Sequence, residues 1–260
     1  MDLAKYVDDL AAQGRYHFTT ADVAEALGIS TVAARAALRR LRAKGAVAMP
    51  CNGFHVIVPP EYRRQQCLPA DQFVPQLLDR FGLDYYVGLL SAAEYHGAAH
   101  HRPQVFQVIL AANRRPIACG AVRVHFIARR NVKEMPVAPQ NTPRGYVQVS
   151  SPEATAFDLV GYARHCGGLG NVATVLAELS ESIDPGELAR IAFLSPVPWA
   201  QRLGRLLEAA GAPNIAGPLA AYVGQAAREY APLNPQRASR KRERDPRWKL
   251  VINDDVESET

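Results

Sequence analysis

The spacing of apolar positions changes four times within the first sixty residues. Residues 2–13 place Leu3, Tyr6, Val7 and Leu10 on one face, which predicts an amphipathic helix ending at Gly14. Residues 15–19 read as a very short strand, with Phe18 turned into a small core. Residues 20–26 return to helical spacing, and Leu27-Gly28-Ile29-Ser30 interrupts it. Residues 31–44 are almost wholly strong helix formers. There Ala34, Ala37, Leu38 and Leu41 form one buried stripe, while Arg35, Arg39 and Arg42 share a solvent-facing one. After Gly45, two short apolar runs (46–49 and 54–58) flank Cys51-Asn52-Gly53 and predict a hairpin.

The residues between these segments suit the junctions they occupy. Thr20 can cap the helix it opens, with Asp22 in the first turn against the positive end of the helix dipole. Gly28 can take the left-handed conformation that stops that helix, Ile29 can plug the angle to the next one, and Ser30 can cap it. Helix, tight turn, basic helix and hairpin, in that order, are the pattern of a winged helix-turn-helix. Pro59-Pro60 closes the module, because the pair breaks both helix and ladder.

Beyond it, residues 61–71 are polar and read as a linker. Residues 72–80 and 86–97 read as helices, then 104–111 and 121–128 alternate as strands, with a further short strand at 146–149. Ser151-Pro152-Glu153 opens a helix through Leu159 and Val160, with Pro at its first position and Glu in its first turn. Helices at 171–181, 184–192 and 200–210 follow, and 248–252 reads as a last strand. The fold class expected is α+β: an N-terminal winged helix-turn-helix (1–60), a linker (61–71), and a larger mixed α+β domain (72–260) with a small sheet flanked by helices.

The formal net charge of the 260 residues is +5, which permits a polyanionic partner. Its placement says more: from Gly28 to Val58 there are five Lys or Arg and no Asp or Glu. The candidate DNA-binding residues are Thr20, Ser30, Thr31, Ala33, Arg35, Arg39, Arg42 and Lys44, with Asn52 and His55 at the wing. Residues near the start of a recognition helix meet base edges, so Thr31, Ala33 and Arg35 are assigned to sequence reading and Arg39 and Arg42 to phosphate. The run 233–247, rich in arginine, fits an extended arm on nucleic acid or a partner as well as it fits a solvated connector.

No catalytic set emerges. His96, His100 and His101 lack a neighbouring Glu in H-E-x-x-H order, and Gly97 and Pro103 end the helix that would have to present them. The glycines at 161, 167, 168 and 170 are not followed by a Lys-Ser/Thr pair. Asp158 stands alone among apolar helix residues, without the second carboxylate that metal-assisted nucleotidyl transfer requires. No cofactor and no metal are expected. The four cysteines lack any C-x-x-C pair and read as reduced thiols in a cytoplasm. No signal segment and no membrane-spanning run are expected.

One stretch is more specific. Tyr85-Tyr86-Val87-Gly88-Leu89-Leu90-Ser91-Ala92-Ala93-Glu94-Tyr95-His96-Gly97, behind a winged helix, resembles the AbiEi antitoxins of bacterial abortive-infection systems. Gln104-Val105-Phe106-Gln107-Val108, the helix Ser151-Pro152-Glu153-Ala154-Thr155-Ala156-Phe157-Asp158-Leu159 and the 248–253 segment are similar to that family's pattern too. The resemblance covers nearly the whole chain. It implies a winged helix that binds inverted repeats in double-stranded DNA and represses its own operon, as a monomer or a weak dimer associating on DNA. It also implies a second domain that counteracts a nucleotidyltransferase-like toxin encoded alongside, without necessarily forming a stable complex. The candidate antitoxin surface is Arg114, Arg115, Arg129, Arg130, Arg240 and Arg242. Two other classes stay open: a one-component regulator whose second domain senses a small ligand, which would need a defined pocket, and a degenerate nuclease or nucleotidyltransferase enzyme, which would need clustered carboxylates.

Overall fold

The computed structural model describes residues 2–98, 103–238 and 243–256. The chain begins α1 (Leu3–Ala12), β1 (His17–Thr19), α2 (Thr20–Leu27), α3 (Thr31–Ala43), β2 (Val47–Cys51) and β3 (Phe54–Ile57). It continues through α4 (Val74–Arg80), β4 (Tyr85–Val87), α5 (Leu89–Tyr95), β5 (Phe106–Leu110), β6 (Ile117–Cys119), β7 (Val122–Ala128), β8 (Val137–Thr142) and β9 (Gly145–Ser150). It ends with α6 (Pro152–Gly161), α7 (Leu169–Leu179), α8 (Pro185–Ala192), α9 (Val197–Ala209), α10 (Pro213–Ala226), β10 (Ala231–Pro232), β11 (Glu243–Asp245) and β12 (Leu250–Ile252). The α+β class stands, and residues 3–57 trace the expected winged helix-turn-helix.

The residues form two compact units. Unit one holds the chain up to Tyr85 together with Gln104–Arg130 and Pro139–Gln148. The strands of its winged helix lie in the order β1-β3-β2, all antiparallel. Because successive strand residues face opposite sides, β2 and β3 serve two cores. Val47 and Ile57 join Tyr6, Val7, Leu10, Phe18, Val23, Ala34 and Leu38 under the three helices. Ala48, Phe54, Val56 and Val58, on the other face, pack with Cys67, Leu68, Phe73, Leu77, Leu78, Val108 and Val124. Strands β5 and β7 of that second core run parallel, from Phe106 opposite Val124 to Leu110 opposite Ala128, and β6 pairs antiparallel with β7.

This packing corrects the expected boundary. The 61–71 segment is not a linker, since Cys67 and Leu68 are fully buried in the same core as wing strand β3. Gly120 shows how tightly the segment is held: a β-carbon there would lie 2.1 Å from the Gln65 carbonyl oxygen, and the Ala121 N–H donates to that oxygen at 2.8 Å.

Unit two comprises Tyr86–Pro103, Asn131–Ala138 and the chain from Val149. Helix α6 is its centre, buried from Glu153 to Val160 and packed against α5, α7, α8 and α9. The Ser151 hydroxyl caps it by accepting the Ala154 N–H. The helix expected at 86–97 is in part strand β4, because Tyr-Tyr-Val favours a pleated, half-buried surface, and the helix starts only after Gly88. Helix α10 was not foreseen, since Pro218 lies inside it. Its buried residues Ala216, Leu219 and Val223 nonetheless keep helical spacing, and α8 and α9 pack on it. At the end of the chain β12 is flanked by β10 and β11, with Trp248 fully buried and its indole N–H donating to Glu208 at 2.7 Å.

Candidate nucleic-acid interface

Three local devices set the angle between α2 and α3. Thr19, not Thr20, caps α2: its hydroxyl accepts the Asp22 N–H at 3.0 Å while Asp22 accepts the Thr19 N–H at 3.0 Å, a reciprocal capping box. Burial opposes ionisation of Asp22, but the Thr19 N–H and hydroxyl, helped by Arg15 at 2.9 Å, outweigh it and hold the carboxyl below its usual range. Gly28 takes the left-handed conformation at φ 61°, which ends α2 without strain. Ile29 packs on the helical core, and the Ser30 hydroxyl accepts the Ala33 N–H to begin α3.

Helix α3 buries Ala34 and Leu38 and half-buries Ala37 and Leu41. Thr31, Ala33, Arg35, Arg39, Arg40, Arg42 and its C-cap Lys44 are all exposed. Arg42 also reaches over β2, its guanidinium 3.8 Å from the Met49 sulfur. The result is a cationic helix face with no acidic residue between Gly28 and Val58 to neutralise it.

The wing departs from expectation. Its turn, Asn52-Gly53, is tight, with Gly53 at φ 73°, and a bulge between Ala48 and Cys51 accommodates Pro50. Thr19 lies opposite Phe54, and the Thr20 N–H donates to the Gly53 carbonyl at 3.1 Å, so the tip ends level with the start of α2. Asn52 is exposed there. His55 is not: it is only 3 % exposed, stacked on Phe18 at 5.5 Å. It has the strand parity of Ile57, which faces the helical core, and that alternation was the signal for its burial. Its Nε2 lies 3.0 Å from the Thr20 hydroxyl, so the two side chains engage each other beneath the surface. Burial, and then the charges of Arg42 and Arg80, push the His55 imidazole down to about 4.

Arg80 is the residue that sequence reasoning missed. It ends α4, far along the chain from the wing, yet its guanidinium lies 3.3 Å from the Gly53 carbonyl at the tip. The next residue, Phe81, carries Arg114 stacked 4.1 Å over its ring. Arg80 thereby adds an exposed cation beside the wing turn.

The other candidate basic residues divide. Arg115 and Arg130 are exposed and Arg114 is half-buried, but Arg129 is 5 % exposed and so is not a surface group. Arg240 and Arg242 lie outside the described residues. Elsewhere in the 233–247 run, Arg237 pairs with Asp254 at 2.5 Å, Arg247 with Glu208 at 2.9 Å, and Arg244 stacks over Tyr230 at 4.9 Å. These contacts favour the connector over the free arm.

In unit two the polar residues of the distinctive stretch converge inside the unit rather than at its surface. The Tyr86 hydroxyl donates to the buried Asp158 carboxylate at 2.9 Å, Ser150 and Thr155 share a hydrogen bond at 2.7 Å, and His96 Nε2 lies 2.8 Å from the Ser150 carbonyl. Burial, with the Asp158 charge added, pushes the nearby Cys166 thiol up to about 12. The tyrosine–carboxylate pair fixes strand β4 to α6, and the hydroxyl pair fixes β9 to the same helix. Among the described residues no group of three His, Cys, Asp or Glu could hold a metal ion, and no helix is long and apolar enough to cross a membrane. His100 and His101 lie outside the described residues.

A capped helix-turn-helix, an arginine face and an adjoining wing define a DNA-binding regulator of the winged-helix class. The comparisons with known proteins place it further. Residues 5–54 match the family model "Transcriptional regulator, AbiEi antitoxin", and residues 86–209 match "AbiEi antitoxin C-terminal domain". The chain belongs to the AbiEi antitoxin family, and its role is that of an antitoxin and DNA-binding regulator. Among solved structures, the RV2827C protein from Mycobacterium tuberculosis is similar with a TM-score of 0.69 at 20% identity, over 95% of this chain and 90% of that one, and so shares the fold. An antigenic nucleotidyltransferase-like protein from Paracoccidioides brasiliensis matches at a TM-score of 0.40 and 13% identity, over 58% of this chain and 90% of that one, which is too remote to carry an argument. No protein of curated function matches the chain.

Proposed function

We propose that the chain represses the operon encoding it by binding inverted repeats through α3, and that it opposes a nucleotidyltransferase-like toxin encoded beside it. The observation that carries the first part is the exposed Arg35-Arg39-Arg42 face of a helix whose entry is set by Thr19, Gly28 and Ser30. Cations on that face suit phosphate, and Arg35, one turn from the helix start, suits a guanine edge. Asn52 and Arg80 stand beside the wing turn, where they suit phosphate on the flank of the site. The second part rests on membership of the family. Arg115 and Arg130 are the exposed candidates for that role in unit one.

The test uses the full-length chain. Its promoter fused to a reporter should be silenced by the chain and released when Arg35 and Arg39 are both replaced by Ala. Co-expression with the neighbouring gene should restore growth that the neighbour alone arrests. Growth arrest unrelieved by a well-expressed chain would remove the antitoxin half, and an unrepressed promoter would remove the repressor half.

One observation favours a second reading, a regulator that responds to a small molecule. A cleft of about 400 Å³ in unit one is lined by Pro75, Gln76, Asp79, Tyr85, Tyr146 and Gln148, and the Gln76 amide oxygen is buried there without a hydrogen-bond donor. A volume of roughly 300–1,000 Å³ is usual for small-molecule sites. Since α4 lines the cleft and ends in Arg80, an occupant would be felt at the wing. Repression that responds to a metabolite extract in the absence of the toxin gene would favour this reading.

A further inference from the structure

Val32, the second residue of α3, is 72 % exposed, although a β-branched apolar side chain is among those most often buried. On a helix of about 3.6 residues per turn, Val32 falls opposite the Ala34–Leu38 stripe, and Ala36 and Ala43 share its outward line. Arg35 and Arg42 flank that line on one side and Arg40 on the other. At the N-terminal end of α3 the outermost ridge, Val32 and Ala36, is therefore narrow and apolar and rimmed by cations, and Arg39 closes it about two turns on.

Water is a poor partner for such a ridge, and an acidic protein surface would engage its rim without using its crest. The DNA major groove fits both parts. Its phosphates suit the flanking arginines, and the one apolar group its floor presents is the C5-methyl of thymine. We infer that Val32 reads a thymine methyl in the operator, an inference that rests on α3 being the recognition helix. The short side chain of Ala36, one turn further on, lets the helix seat closely enough for Val32 to reach the base edge. Val32 lies at the N-terminal end of α3, the end that meets bases in helix-turn-helix complexes. Arg35 lies three residues on, about 4.5 Å along the axis, while base pairs stack at about 3.4 Å. The thymine should accordingly stand within about two base pairs of the guanine that Arg35 contacts.

The experiment selects a preferred duplex from a random library with the intact chain, then replaces each thymine singly by deoxyuridine, which removes only the methyl. At one thymine per half-site the wild-type chain should lose about fourfold in affinity, the worth of one buried methyl. With Val32→Ala that same replacement should change little, while Val32→Ile should restore the sensitivity. Circular dichroism of both variants should match the wild type, because the side chain is exposed. The inference is overturned if no thymine is sensitive in the wild type, or if Val32→Ala keeps the full uracil response. A library that yields no preferred duplex overturns the recognition-helix reading itself and this inference with it.

Discussion

His55 illustrates how a single residue can be misplaced by its neighbourhood. Two residues past the Asn52-Gly53 turn it reads as a wing contact, but its parity sends it under the helices, where it stacks on Phe18 and meets Thr20. Its folded-state value of about 4 lies below the ordinary 6.5, so the unfolded chain binds the proton first as pH falls. Stability contributed by the neutral imidazole is thus complete above about pH 6.5 and is lost progressively down to about pH 4, for roughly 3 kcal/mol in all. His17 is lowered as well, by burial and then Arg15, and adds in the same direction. Urea unfolding at pH 7.5 and pH 5 should show the drop, and His55→Gln should shrink it; an equal pH dependence in the variant would contradict the assignment. In unit two, Gly204 leaves no room for a side chain, since a β-carbon would sit 2.0 Å from the Trp248 ring. Gly204→Ala should cost about 1–3 kcal/mol by overpacking, read as a lowered denaturant midpoint at unchanged slope. A midpoint equal to wild type would mean that the Trp248 contact is not tight.

At the scale of elements, legibility followed local chemistry. Residues 2–58 were readable because each junction carries its own cause: Gly28 for the stop, Ser30 for the start, Asn52-Gly53 for the hairpin. Even there the cap was displaced by one residue, since the Thr19 and Thr20 hydroxyls are equally good acceptors and only the geometry at Asp22 distinguishes them. The Ser151-Pro152-Glu153 helix start was legible for the same reason. What could not be read were elements whose only justification is tertiary. Helix α10 survives an interior proline because α8 and α9 cover it, and β6 is a three-residue strand defined by its pairing with β7. Arg80 was invisible because its place at the wing is set by α4 packing, not by any nearby pattern. The supposed linker failed for a related reason: its polar composition hid Cys67 and Leu68. A fragment of residues 1–61 would expose Ala48, Phe54, Val56 and Val58, each large apolar side chain worth roughly 1.5–3 kcal/mol when buried. That fragment should show no cooperative thermal transition where the full chain does. A sharp transition in the fragment would restore the autonomous winged helix.

At the scale of the molecule, two kinds of polar residue divide the labour. In unit two, Tyr86 of β4 and Ser150 of β9 are turned inward onto Asp158 and Thr155 of α6 and tie strands to helix. In unit one, the arginines of α3 are turned outward with no acid among them, and the fold keeps them there by burying Ala34 and Leu38 on the opposite side. The account therefore stands on α3. The most direct test is a titration of the full-length chain against its promoter DNA and a scrambled duplex, by fluorescence anisotropy at fixed salt. Wild type should prefer the promoter. Arg35→Ala should lose about 1–3 kcal/mol of that preference, the worth of one good bidentate base contact. Arg42→Ala should weaken both duplexes alike and lower the salt dependence by about one counterion. Arg35→Ala retaining the full wild-type preference would contradict the assignment of α3 as the helix that reads DNA.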